Sequence, residues 1–351
     1  TTGFNPVVGV TGGWKELDRT TLGSSANIID VSSLDNKRYY MVLYDLQRSG
    51  SNNMQFNSLV GNTTIDATAN YSQRKSIDGG TDTTGISLAE VSNTAVDTNL
   101  HNVFSVGNIA NLSGKEKLFI THVVDSNVDT ASNAPKRAEI VSKWSDISNP
   151  IDIIRADTAA GGRAFGADSE VVVLGWDPAD THTTNFWEEL ASVDWSSGGT
   201  IDTGTFTAKK YLCVQMSYQN TTSGFVYFNF NTDNTGANYS SRYSSNGATD
   251  VVNTTYGNNE SFYNLAGVGS SSIYSNGFIN MFIMNNSADE KLVISDSVQI
   301  ESTELGSGYA PTTRREGVGK WINTSSQVTQ IQLKKGSNNF SGGTIKVWGH
   351  D

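Results

Sequence analysis

The chain has 351 residues, a hydrophobic share of 36%, a charged share of 17% and a formal charge of −11. That is long enough for two ordinary domains, too little charged for a disordered acidic chain, and wrongly charged for bulk binding to nucleic acid or an anionic membrane, which needs clustered Lys and Arg. A single cysteine, Cys213, excludes an internal disulfide, and it lies in the apolar run KKYLCVQM as core filler.

In chain order, the first segment, TTGFNPVVGV, has no basic region followed by an apolar run, so no signal peptide is expected there. No window is apolar enough for membrane insertion by a helix. The runs YYMVLYDL (from Tyr39), MQFNSL (from Met54), KLFITHVV (from Lys117), EIVSKW (from Glu139) and EVVVLG (from Glu170) read as strands. In the second half FVYFNFN (from Phe225), VTQIQLK (from Val328) and TIKVW (from Thr344) read the same way, with Ile331 and Leu333 alternating against Gln330 and Gln332. Between them lie turn clusters such as SGSNN, DGGTD, SNGATD, LGSGYAP and KGSNNFSGG. ISLAEVSNTAV (Ile86 to Val96) and FWEELA (Phe186 to Ala191) are the two segments that read as short helices or caps.

The chain repeats itself. TANYSQRKSIDGGTD, from Thr68, returns as GANYSSRYSSNGATD, from Gly236. Trp14-Lys15-Glu16-Leu17 returns as Trp187-Glu188-Glu189-Leu190, Lys37-Arg38-Tyr39 as Lys209-Lys210-Tyr211, and Glu116-Lys117-Leu118 as Glu290-Lys291-Leu292. Glu139 with Lys143-Trp144 returns at equal spacing as Glu316 with Lys320-Trp321, and the order never breaks. So long a period makes each copy a domain rather than a solenoid unit. The expected division is 1–180 and 181–351, with the link near DPADTHTTN, Asp177 to Asn185. About eight short strands per copy, with turns every ten residues or so, predict an all-β chain of two tandem duplicated β-sandwich domains, jelly-roll-like because of the long polar excursions.

Candidate sites are sparse. In the twice-written A-N-Y-S-x-R, alternation puts Tyr71 and Tyr239 on one face and Arg74 and Arg242 on the other. The plain reading is Tyr in the core and Arg paired with a carboxylate such as Glu139 or Glu316. The functional reading is a ligand groove once per domain, with Tyr71 and Tyr239 stacking on a sugar and Arg74 and Arg242 gripping a hydroxyl or carboxylate. The four histidines, His101, His122, His182 and His350, form no metal-ligand spacing. There is no nucleophile elbow, P-loop or dinucleotide fingerprint. Glu16, Glu116, Glu139, Glu170, Glu188, Glu189, Glu290 and Glu316 are available for glycosidase chemistry, but Glu139 and Glu316 sit beside Lys and Arg, and ion pairs are the plainer reading. No catalytic residue and no resident metal or cofactor is therefore expected. Oxygen-rich DSNVDTASN (from Asp125) and NTDNTGAN (from Asn231) leave Ca²⁺ as an open alternative beside ordinary Asx-turns.

GKEKLFI (from Gly114), NAPKRAEIVSKW (from Asn133) and FGADSEVVVLGWD (from Phe165), repeated as EKLVI, APTTRREGVGKW and FSGGTIKVWGHD, resemble the repeated domain of virion structural proteins of tailed, often marine, phages. The resemblance implies a non-enzymatic protein of the virion surface, either capsid decoration or a tail-fibre or spike component, assembled in the host cytoplasm. It implies assembly into a homo-oligomer, expected to be a homotrimer, contacts with other virion proteins and with a host-surface glycan, and none with nucleic acid. Its motifs are structural, so no catalytic residue carries over. The alternatives are a double jelly-roll major capsid protein and a secreted carbohydrate-binding protein or glycosidase.

Overall fold

A computed structural model describes residues 13–49, 56–93, 101–128, 130–158, 163–220, 226–254, 274–302, 312–336 and 339–351. The first half contributes β1 (Lys15–Thr21), β2 (Ile28–Ser32), β3 (Tyr39–Leu46), β4 (Asn57–Asn62), β5 (Thr64–Ile65), β6 (Tyr71–Ile77), β7 (Thr83–Leu88), β8 (Ser92–Asn93), β9 (Val103–Ala110), β10 (Lys117–Asp125), β11 (Lys136–Trp144), β12 (Ile153–Asp157) and β13 (Glu170–Trp176). The second contributes β14 (Glu188–Trp195), β15 (Thr200–Asp202), β16 (Tyr211–Asn220), β17 (Val226–Phe230), β18 (Tyr239–Ser245), β19 (Val251–Asn253), β20 (Tyr274–Met284), β21 (Lys291–Ser302), β22 (Thr312–Trp321), β23 (Ile331–Lys335) and β24 (Gly342–His350). The only helical piece among the described residues is a 3₁₀ turn at Gly236–Asn238, and among them no helix is long and apolar enough to cross a membrane.

The strands form two large and two small sheets. The first large sheet runs β1-β13-β3-β9-β10-β11-β6-β7, and the second runs β14-β24-β16-β20-β21-β22-β18-β19. These orders are the same once repeated segments are matched, and register follows. Tyr71 stands opposite Trp144 and Tyr239 opposite Trp321; His122 stands opposite Glu139 and Asp296 opposite Glu316. Even the irregularity recurs, a register shift between Glu16 and Asp18 and another between Glu189 and Ala191. The small sheets are β2-β12-β4-β5, with β8 on β4, and β15-β23-β17.

Alternation along the strands builds three cores. Tyr40, Val42, Tyr44 and Leu46 of β3 pack with Ile29, Val31, Val60 and Ile154 of the first small sheet. Leu212, Val214 and Met216 pack with Phe228, Ile331 and Leu333 in the second half. Each large sheet thus covers a small one, a sandwich-like arrangement. The opposite faces of the two large sheets form the third core, where Met41, Leu43, Phe104, Val124 and Val172 meet Tyr211, Leu292, Ile294 and Val318. β3 and β13 read as nearly continuous apolar runs, interrupted only by Asp45 and Glu170, because both of their faces are covered.

The segments expected to be helical are edge strands instead. Ile86–Leu88 belongs to β7 and Ser92–Asn93 to β8, while Glu188 onward is β14; Thr94 to Val96 lie outside the described residues. An edge strand with one open face and a bulge loses strict alternation, which imitates a helical stripe.

Buried polar locks recur at matching places. Asn111 donates to the Lys37 carbonyl (3.0 Å) and accepts from the Ile151 amide (3.1 Å). Asn285 donates to the Lys209 carbonyl (2.9 Å) and accepts from the Val328 amide (2.6 Å). The Lys117 ammonium is buried against the Lys115 and Asp146 carbonyls, and that of Lys291 against the Asp289 and Asn323 carbonyls. Burial brings the Lys291 amine down to about 8. Asn285→Ala strands the Val328 amide in the core, at a cost of about 1–3 kcal/mol. The expected outcome is a lowered melting temperature with faster amide exchange at Val328, and the same at Ile151 for Asn111→Ala; unchanged exchange at these amides would refute the lock.

Candidate functional site on the outer faces of the large sheets

Tyr71 and Tyr239 lie inside the sandwiches, not in a groove. The Tyr71 hydroxyl donates to the Val60 and Asp66 carbonyls, both at 2.7 Å, and that of Tyr239 to the Asp233 carbonyl at 3.0 Å. Each ring stacks on a tryptophan, Trp144 at 6.5 Å and Trp321 at 6.3 Å between centroids. Each indole donates at 2.8 Å to the carboxylate of the same loop, Asp66 or Asp233, which also receives Asn70 or Asn238. Burial would push both carboxyls up, but these donors together hold them below the usual carboxylate range. The repeated A-N-Y is thus the closing clasp of a loop, and its rings are not open for a sugar to stack on.

The arginines separate. Arg74 is exposed with Asp82 at 3.7 Å. Arg242 reaches into the other half, donating to the Pro135 carbonyl at 2.9 Å with Asp78 at 3.3 Å. Neither pairs with Glu139 or Glu316, because register sets Arg74 opposite Val141 and Arg242 opposite Val318. Those glutamates take Arg137 and Arg314 instead.

Around Arg242 the outer faces carry a set of ion pairs that no motif announced. Arg137 makes a two-pronged bond to Asp250 at 2.8 and 2.6 Å. Gly79 borders it with φ +69°, and a Cβ there would stand 2.2 Å from the Asp250 carboxylate. Fully buried Asp45 and nearly buried Glu170 share the Lys210 ammonium at 3.0 and 3.1 Å, and Tyr211 donates to Glu170 at 2.8 Å. Burial raises the Asp45 carboxyl, and Lys210 counters it. Burial alone would lower the Lys210 amine, but the two carboxylates raise it, so this lysine stays charged. Lys320 donates to the Ser126 carbonyl at 2.7 Å and to that of Val128. The position-matched His122 and Asp296 face each other at 3.9 Å.

This contact uses different halves of two equivalent faces. Leu292, Ile294 and Val318 are covered, whereas their counterparts Leu118, Ile120 and Val141 are 54%, 53% and 50% exposed. Phe104 and Val124 are covered, whereas their counterparts Phe278 and Val298 are 44% and 40% exposed. The open half of the first face holds a groove of about 420 Å³ lined by Trp14, Tyr39, Asn108, Leu118, Ile120 and Trp176, with Tyr39 stacked on Trp176 at 5.4 Å. A second groove of about 490 Å³ continues it past Arg74, Ile86 and Val141.

The carboxylates considered for glycoside cleavage mostly carry a cation. Glu16 pairs with Arg19, Glu116 with Lys143, Glu170 with Lys210 and Glu189 with Lys346. Among the described residues no group of three or more His, Cys, Asp or Glu side chains could hold a metal ion. In the oxygen-rich loops, Asp125 accepts the Asn127 and His101 amides and Asp233 accepts the Thr235 amide, the geometry of Asx-turns; Asp129 lies outside the described residues. Burial pushes the Asp125 carboxyl up to about 6 and the Cys213 thiol up to about 12.

No family model matches the chain, and no curated protein matches it. Among solved structures, the mouse laminin α1 chain domains LG4-5 align at 10% identity over 94% of this chain and 92% of that one, with a TM-score of 0.21. Neisserial surface protein A aligns at 8% identity over 86% and 99%, with a TM-score of 0.13. OpdQ of Pseudomonas aeruginosa aligns at 8% over 91% and 67%, with a TM-score of 0.16. Likeness at this level assigns neither a family nor a function.

Gly79→Ala and Gly114→Ala separate backbone strain from the contact between sheets. Both positions have φ near +70°, but nothing lies within 4 Å of a Cβ on Gly114. Gly114→Ala is expected to cost about 1 kcal/mol and Gly79→Ala at least about 1 kcal/mol more, as measured by denaturant unfolding; equal losses would detach Gly79 from the Asp250 contact. A second outcome concerns pH. The folded pKa of Asp125 stands above the unfolded value, so the protonated acid stabilises the fold and this contribution is lost as pH rises from about 4 through about 6. Asp125→Asn keeps the acceptor without the charge. Its melting temperature is expected to exceed that of the wild type at pH 7.5 and to converge with it at pH 4.

Proposed function

We propose that the chain is a non-enzymatic structural protein of a virion surface, built as two tandem jelly-roll-like domains, 1–180 and 181–351, and acting in assembly and host-surface attachment. The observation that carries this reading is the use made of the buried charges. Asp45, Glu170, Lys210, Arg137 and Asp250 hold one sheet against another, which is the work of a scaffold rather than of a reacting centre. The repeated strand order supports the two-domain assignment. The placement on a virion rests on the resemblance of the GKEKLFI and NAPKRAEIVSKW segments and of their second copies. Rigid sandwiches would present the connecting loops to neighbouring subunits, to other virion proteins or to a host glycan. The subunits assemble in the host cytoplasm as a homo-oligomer, a homotrimer giving six similar domains around one axis.

Gold-labelled antibody against the chain, applied to purified particles and viewed by electron microscopy, tests this. Label in a regular lattice on the head, or at a tail or vertex tip, is the expected result and distinguishes decoration from attachment. Particles that never label would overturn the virion reading and return the secreted carbohydrate-binding alternative.

A further inference from the structure

The two outer faces match in strand order and register, and only one half of each is covered. The covered half of the second face, with Tyr211, Leu292, Ile294 and Val318, rests on the half of the first face that holds Leu43, Phe104, Val124 and Val172. Its counterpart in the first face, with Tyr39, Leu118, Ile120 and Val141, is open and grooved. The counterpart of the receiving half is open too, with Phe278 and Val298 exposed and Gln215, Asn280 and Lys346 in the places of Leu43, Val106 and Val172. A contact in which each partner uses a different patch is heterologous, and such a contact can be repeated from molecule to molecule.

We propose that the open half of the first face docks onto the open half of the second face of another copy of this chain, repeating between molecules the contact made within each. This rests on the reading of the chain as self-assembling and gives that reading its surface. The charges agree. Within the chain Arg137 grips Asp250. The matching residues are Arg314 and Asp82, whose side chains are 60% and 52% exposed, with only a like-sited neighbour each, Glu316 at 3.4 Å and Arg74 at 3.7 Å. In the intermolecular contact Arg314 of one chain meets Asp82 of the next. Lys143 stands where Lys320 stands, ready for backbone carbonyls at the end of β21. The open half of the first face is the more apolar partner, with Leu118, Ile120 and Val141 each about half exposed side by side, which is more than scattered surface hydrophobics. The buried ion cluster is not repeated. Ser217 and Thr344 occupy the places of Asp45 and Glu170, so the contact between chains is weaker than the one within the chain and forms and breaks with concentration.

Sedimentation velocity on the full chain tests it. The wild type is expected to grow in mass with concentration, as a ring or an open series. Ile120→Asp and Phe278→Asp, both at exposed sites, are each expected to give folded monomers by circular dichroism. Mixed in equal amounts, they are expected to form a dimer and stop, because each retains the half that the other has lost. Asp82→Arg and Arg314→Asp are each expected to weaken association about tenfold, and the double variant to recover it. A wild type that stays monomeric at every concentration overturns both this contact and the self-assembly reading. An oligomer indifferent to Ile120→Asp and Phe278→Asp overturns this contact alone. A monomer that binds polysaccharide through Trp176 overturns it too and gives the groove to a sugar.

Discussion

Everything outside the two sandwiches depends on one constraint: Asp45 and Glu170 are buried, and Lys210 from the other half of the chain neutralises both, with Arg19 standing 3.5 Å from Glu170. A buried carboxylate without its cation costs several kcal/mol. The halves therefore cannot separate, slide or rotate without leaving charge in an apolar core. The hydrophobic contact around Leu43, Phe104 and Ile294 supplies adhesion. The ions supply the position at which adhesion is allowed. Arg137 with Asp250, and Arg242 with Asp78, repeat the principle at the far side of the same contact.

Within each half the logic differs. There the polar groups close loops rather than join sheets. The Tyr–Trp–Asp clasp, the asparagine at 111 or 285 and the lysine at 117 or 291 each satisfy backbone groups that strand pairing leaves open. These are the residues that recur through both copies, whereas the ion pairs between the sheets occur once. Among the residues that join the two sandwiches, Arg137 and Asp250 have like counterparts in Arg314 and Asp82, whereas Asp45 and Glu170 are replaced by Ser217 and Thr344. Lys320 is enclosed by carbonyls while its counterpart Lys143 is out in solvent beside Glu116.

Much of this was legible in the residues. Turn clusters and alternating runs place most of the strands, and YYMVLYDL is among them. The edge strands β7 and β14 misread as helices because bulges and open faces blur their period. Alternation sets the tyrosines of A-N-Y-S-x-R opposite the arginines but leaves core and groove both open, and burial decides for the core, whereas Arg242 differs from Arg74 only in what the other half brings to it. Which half of which face is covered could not be read, since Leu118 and Ile120 are as apolar as Leu292 and Ile294. That choice depends on how the two large sheets are placed against each other, and no local pattern encodes it.

The lone thiol gains a meaning from this arrangement. Cys213 sits on β16 at the margin of the core between the large sheets, and burial leaves its thiol protonated far above neutral pH. The side chain is only partly buried, so a reagent can reach it while the halves stay together, but the protonated thiol reacts slowly. A rise in the rate of Cys213 modification when the halves are driven apart therefore reports on the contact between them, with no label introduced and no residue changed.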